Sequence, residues 1–301
     1  MTTPEAAGAG AGSADAVGRA LERAHREHRG RLVAYLASRF RDVTAAEDAV
    51  ADATRRALEV WPERGVPAEP AAWLLTAARR RLLNRRRHDD VAQAAAPAVR
   101  SVAAELAEPA STPGGASASA VPDRRLELLF VCAHPSLDPA VQTPLMLQTV
   151  LGLDAARIAS AFLISPAALG QRLVRAKAKI RDAGIPFSVP GRAEFPGRLV
   201  AVMEAIYAAY GTGWEDVDGI DAKRRGLAEE AIWLARVLVE VLPRAPEPKG
   251  LLALMLYCQS RRAARRGAHG AKVPRSEHDP ERLGADHQAG TGRLVNAAAP
   301  P

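Results

Sequence analysis

Thiols are scarce in this chain: Cys132 and Cys258 are the only two among 301 residues. One widely separated pair is no disulfide framework and predicts a reducing, cytoplasmic setting. Cys132 and His134 form a lone C-x-H with no second ligand cluster at metal-site spacing, so a buried thiol is expected and a metal site is not. Aromatic residues make up only 4%. Cores must then be built from Ala, Leu and Val, which suits closely packed helices better than sheets. No apolar run approaches the roughly 20 residues of a membrane span. The opening MTTPEAAGAGAGSADA lacks the cationic start and apolar centre of a signal peptide. Also missing are an alternating strand pattern of useful length, a nucleophile–base set, a phosphate-binding loop and a metal cluster. These absences argue against an enzyme, a cofactor and a membrane partner.

What remains is helical. Apolar residues make up 48%, enough for buried cores, and the formal net charge of +7 suits a polyanionic partner. Residues 1–15 are Ala/Gly-rich and expected to be disordered. Residues 16–90 form a first helical block. In it Leu21, Leu32, Leu36 and Phe40 mark one apolar side, Thr44 and Glu47 suggest a capping box, and a helix is expected to end at Trp61 before Pro62. The stretch 91–122 is rich in Pro, Ser, Gly and Ala and reads as a flexible linker. Residues 123–187 form a second block, with helices predicted over 124–133, 138–151, 154–162 and 165–182. A third block over 191–266 ends in a helical hairpin of tetratricopeptide kind, and 267–301 reads as a loose tail. The predicted fold class is all-α.

The strongest motif is a helix-turn-helix at 153–182. Asp154 and Ser165 stand where helix caps are needed, and Pro166 occupies a first helical position where its missing amide costs nothing. Leu169, Leu173, Ala176 and Ile180 share one face, expected to pack against Ile158 and Phe162. Ala167, Ala168, Gln171 and Arg175 point outward. Arg172 and Lys179 flank them on one side, Lys177 and Arg181 on the other. Small residues at a helix start, one amide and surrounding cations suit a major groove, where Gln and Arg read base edges and the remaining cations meet phosphates. An ordinary basic surface helix would show the cations without the caps, turn and separated faces.

A second motif follows Pro70. Arg79, Arg80, Arg81, Arg85, Arg86 and Arg87 place six arginines within nine residues, with Asn84 among them. Such density repels itself unless a polyanion compensates. Trp73, two turns earlier, is either a stacking platform for an unpaired base or a core residue. A third motif is acidic. Glu47, Asp48 and Asp52 lie on one predicted helix, with no His or third ligand to make them a catalytic or metal group. They read as a docking surface for a basic partner, or as a solvated face.

In this order, these segments resemble the sigma-70 family of RNA polymerase sigma factors, of the extracytoplasmic-function type. DVTAAEDAVADATRRALEVWP resembles the segment that binds the clamp coiled coil of the polymerase largest subunit. PAAWLLTAARRRLLNRRRH resembles the segment that melts and reads the −10 element, and the helix-turn-helix resembles the −35 reader. The sequence from Leu128 to Pro190 is similar to the subgroup bearing a helical C-terminal extension. The resemblance implies a sigma region 2 over 16–90 that docks core polymerase through Glu47, Asp48 and Asp52 and contacts the −10 region through Trp73, Arg79, Arg80, Arg81, Asn84 and Arg85. It implies a region 4 over 123–187 that contacts the −35 element through Ala167, Ala168, Gln171, Arg172, Arg175, Lys177 and Lys179. Promoter DNA, core RNA polymerase and a regulatory protein are the implied partners. Three positions depart from the pattern: Arg80 and Asn84 stand where Asn and Asp are usual, and Arg157 replaces the common Glu before Ile158. The competing class is a conventional helix-turn-helix regulator that binds a duplex operator without polymerase; an interaction scaffold dominated by the C-terminal helices is a third. The acidic helix and the separate arginine helix favour the sigma factor. The apolar residues Leu199, Val202, Met203, Ile206, Leu234, Leu238, Leu251, Leu254 and Met255 are expected to need cover from the 123–187 block.

Overall fold

The computed structural model describes residues 8–94, 122–215, 226–265, 273–274 and 284–298, and no strand occurs among them. The fold is all-α. No helix among the described residues is long and apolar enough to cross a membrane. The linker expected over 91–122 lies almost wholly outside the described residues.

The chain divides into two compact units. The first combines the residues up to Val131 with Ala167–Phe187, and the second combines Cys132–Pro166 with the residues from Ser188 onward. Compact packing therefore groups the chain differently from the linear blocks expected at 123–187 and 191–266.

In the first unit, α1 (Gly8–Phe40), α2 (Val43–Arg64) and α3 (Pro70–Ala94) pack pairwise as a three-helix group. Alanine makes this possible. Ala46, Ala49, Ala53 and Ala57 are buried at helical spacing along α2, and Trp61 ends the row. Such small side chains let backbones approach closely, while Leu32, Leu36, Leu74 and Leu82 supply the bulk. α1 begins at Gly8, inside the segment expected to be disordered; alanine is the best helix former, and the Ala-rich stretch continues the helix backward.

Two local expectations are corrected. The N-cap of α2 is Asp42, whose side chain accepts from the Ala45 amide at 2.9 Å, and not Thr44. An extended Asp42 with a short carboxylate satisfies the amide three residues on, and Glu47 turns elsewhere. The helix also runs past Pro62 to Arg64, where Gly65 at φ 80 donates its N–H to Trp61 O. Pro62 has no N–H to give the Leu58 carbonyl, so the helix loses one bond in its last turn and ends two residues on.

α4 (Arg125–Cys132) joins the first unit through its opening residues. The Asp123 carboxylate accepts from Arg125 Nη2 at 2.7 Å and from Arg31 Nε of α1 at 3.3 Å. α7 (Pro166–Asp182) buries Leu169, Leu173, Ala176 and Ile180, the face expected from its sequence.

In the second unit, α5 (Pro139–Thr149) touches α6 (Ala155–Ala161) and packs on α8 (Phe195–Glu215). α9 (Leu227–Val241) and α10 (Pro246–Ser260) pack against each other and against α8. The apolar row of α8 is thus covered partly by α5, from within the 123–187 segment as expected. Gly213 permits the α8–α9 approach: a Cβ there would lie 2.5 Å from the Ala228 backbone nitrogen.

The tail expected to be loose contains α11 (Ala285–Ala298), which packs along α10. A Cβ at Gly290 would meet Leu256 at 3.3 Å, and the Thr291 hydroxyl reaches Ala253 O at 3.4 Å. Gly284 N–H donates to Ser260 O at 2.9 Å, and Lys249 Nζ donates to Ala297 O at 3.1 Å. Small residues bring this helix onto its neighbour without an apolar stripe of its own. Leu254 of α10 remains 46% exposed.

Candidate nucleic-acid interface

The acidic and arginine motifs lie side by side. α2 carries Asp48 and Asp52 one turn apart on its solvent side, and α3 runs against it with Arg81 and Arg85 at the same spacing. Arg81 Nε lies 2.8 Å from Asp52 Oδ2, and Arg85 Nη1 lies 3.8 Å from Asp48 Oδ2. Arg55 reaches Asp52 at 3.7 Å and Glu59 at 2.8 Å. Asp48, Asp52, Arg81 and Arg85 line a shallow open cleft with Ala45, Ala49 and Leu82. The pairs are largely exposed, so each is weak and exchangeable.

The other members of the arginine motif face solvent. Arg79, Arg80, Asn84 and Arg87 are exposed, and the Arg86 guanidinium lies 5.3 Å above the Phe40 ring. Trp73 is half-buried and meets Trp61 edge to face, with centroids 5.5 Å apart and planes at 71°. That contact belongs to core packing, yet it leaves part of the Trp73 indole accessible.

Glu47 differs from its acidic neighbours. It is half-buried, accepts from Arg29 Nη2 at 3.4 Å, and accepts from Lys177 Nζ at 2.5 Å. Lys177 is only 8% exposed. The structure therefore removes Lys177 from the outward cations of α7: its ammonium points to a carboxylate inside the first unit. Arg181 Nη1 lies 3.8 Å from Asp42 Oδ2 on the same side.

The outward face of α7 keeps Ala167, Gln171, Arg172, Arg175 and Lys179 exposed, with Ala168 half-buried. Arg175 Nε donates to Gln171 O at 3.4 Å. Val174 is 67% exposed on this face and was missed in the sequence reading. Its place seven residues after Ala167 and three after Gln171 is the signal that could have found it. In the preceding helix Asp154 accepts from Arg157 N at 2.8 Å, as expected of its cap. Leu163 turns the chain with φ 53, and Ile164 N–H returns to Ala159 O at 3.0 Å. Phe162, expected in the core, is 40% exposed.

Within the first unit, then, an exposed arginine helix lies beside an acidic one. Residues 24–91, spanning most of α1 through α3, match the sigma-70 region 2 family. The segment of α1 to α3 is thus similar to sigma-70 region 2. Residues 198–299, which include α8 to α11, match a family of unknown function (DUF6596). An uncharacterized protein, R00370 of Rhizobium meliloti (strain 1021), is 38% identical over 264 residues. That alignment covers 86% of this chain, and the chain spans 60% of the length of that relative. No solved structure matches.

Proposed function

We propose that this protein is a sigma factor of extracytoplasmic-function type that binds core RNA polymerase and directs it to promoters. The observation that carries the reading is the region 2 match coinciding with α1–α3, the helices that bear the acidic and arginine faces. Asp48 and Asp52, assisted by Glu47, dock the clamp coiled coil of the largest subunit. Their partners there are basic residues that replace Arg81 and Arg85.

In the same reading Arg79, Arg80, Arg81, Asn84 and Arg85 hold the −10 region and the accessible part of Trp73 stacks on an unpaired base. Gln171 and Arg175 read −35 base edges, Arg172 and Lys179 hold phosphates, and Ala167 and Ala168 permit close approach. The segments 16–90 and 123–187 act as regions 2 and 4, and the helices after Pro190 act as a regulatory extension.

The test is in vitro transcription with bacterial core polymerase on genomic DNA. Promoter-specific transcripts should appear only when the protein is added, and permanganate should detect unpaired thymines near −10. Duplex binding without polymerase, with no transcripts in its presence, would instead establish a conventional regulator.

A further inference from the structure

The first turn of α8 holds a buried cation that its own chain satisfies only in part. Arg198 is 7% exposed, and its Nη2 lies 2.7 Å from Oε2 of Glu194, in the short 3-10 turn (Arg192–Glu194) that leads into α8. Its Nε is buried and meets no acceptor among the described residues. We propose that Arg198 anchors a phosphate-binding site at the N-terminus of α8, in which Glu194 stands where the ligand would sit and His134 supplies a further donor.

A guanidinium is kept in a protein interior only where its charge and its N–H groups are met. The Nε–H and one Nη2–H lie parallel on one edge of the plane, a fork that takes two oxygens of one anion. Glu194 meets the Nη2 end and leaves the Nε end unmet, so it is an incomplete occupant. It is also a loose one: its side chain is 59% exposed and can return to water at little cost. The helix adds a positive field at the same place, since its dipole favours an anion at the first turn.

His134 makes a phosphate fit better than a carboxylate. The loop after α4 is fixed by the Leu137 N–H on His134 O at 2.9 Å and by the Gln142 amide, which donates to His134 O and Leu137 O at 3.3 Å. Within it the Ser136 N–H donates to His134 Nδ1 at 3.2 Å, and the Ser136 hydroxyl lies 2.6 Å from the same nitrogen. Nδ1 is therefore an acceptor, and the neutral ring carries its hydrogen on Nε2. Burial lowers the pKa of this ring, Arg198 lowers it further, and Glu194 opposes them, so the ring feels both members of the pair. A carboxylate uses both oxygens on the guanidinium fork. A phosphate keeps a third for the imidazole, and its second negative charge exceeds the single charge of Glu194. All three residues belong to the second unit, and the site is independent of the function proposed above.

The test is isothermal titration calorimetry on the full-length protein at neutral pH, with inorganic phosphate and glycerol phosphate as probes. At least one should bind saturably, and the tighter of the two tells free phosphate from a phosphate ester. Arg198→Lys, which keeps the charge and loses the fork, should weaken binding about tenfold or more. Glu194→Gln removes the competing anion from an exposed position and should bind several-fold tighter, an effect that misfolding cannot produce. Glu240→Gln, which removes an exposed acid from α9, should bind as wild type does. In histidine ring NMR, the resonance absent from His134→Gln should titrate at higher pH once phosphate is bound, because an anion favours the imidazolium. Any one of four results would overturn the site: neither probe binding wild type or Glu194→Gln, undiminished binding in Arg198→Lys, equal tightening in Glu194→Gln and Glu240→Gln, or a His134 titration that phosphate leaves unmoved.

Discussion

Asp123 is the residue at which a single proton has the clearest expected effect. Burial alone would raise its carboxyl, but the Arg125 guanidinium bonded to it, with Arg31 nearby, holds it below the ordinary carboxylate value. A lowered folded value means the stabilisation is fully present above the unfolded carboxylate range of about 4 and disappears as pH falls through the folded value. Asp123→Asn removes the carboxylate that Arg125 and Arg31 share and should cost about 2 kcal/mol at pH 7. Urea unfolding of the first unit, followed by hydrogen exchange over α1–α3, checks this. The gap between wild type and variant should be constant near neutrality and narrow as pH falls below about 4. A gap that widens in acid would contradict the assigned ion pair.

Between elements, the pairs across α2 and α3 make one surface of two motifs that look separate in the sequence. Arg81–Asp52 and Arg85–Asp48 are solvent-exposed, so removing both acids should change stability by less than about 1 kcal/mol. Asp48→Ala/Asp52→Ala should weaken core polymerase binding while the free protein gains affinity for single-stranded DNA, since two arginines lose their internal anions. Equilibrium binding to core and to a labelled oligonucleotide would show both changes, and the oligonucleotide salt slope should steepen. Unchanged core affinity would remove the docking role of this face. The helices themselves were legible because their buried rows keep helical spacing, as on α7 with Leu169, Leu173, Ala176 and Ile180. The cap of α2 was not: Asp42 and Thr44 both offer an oxygen, and only the path of the chain chooses between them. Nor were the ion pairs across α2 and α3 or between Glu47 and Lys177. They depend on which helices become neighbours and at what register, which spacing along one helix does not carry. α11 was missed for a related reason: its Gly, Thr and polar residues become a helix face only where α10 accepts them.

In the whole molecule, the second unit depends on close backbone approach. Gly213→Ala places a methyl against the Ala228 backbone and should cost the second unit about 1–3 kcal/mol, with little effect on the first. Hydrogen exchange on heating, read separately over α1–α3 and over α8 and α9, would resolve the two. Equal loss in both units would mean that they unfold together. The alanine row of α2 has a consequence for the chain's tolerance of change. Most protein cores suffer chiefly when large residues shrink, but Ala46, Ala49, Ala53 and Ala57 have almost nothing to lose. Damage there comes from growth: one added methylene has no void to enter and must push α1 or α3 outward. A saturation screen of this helix should therefore show an inverted profile, with glycine and serine survived more often than valine or leucine, and the acidic and arginine faces would lose their alignment before the unit lost its fold.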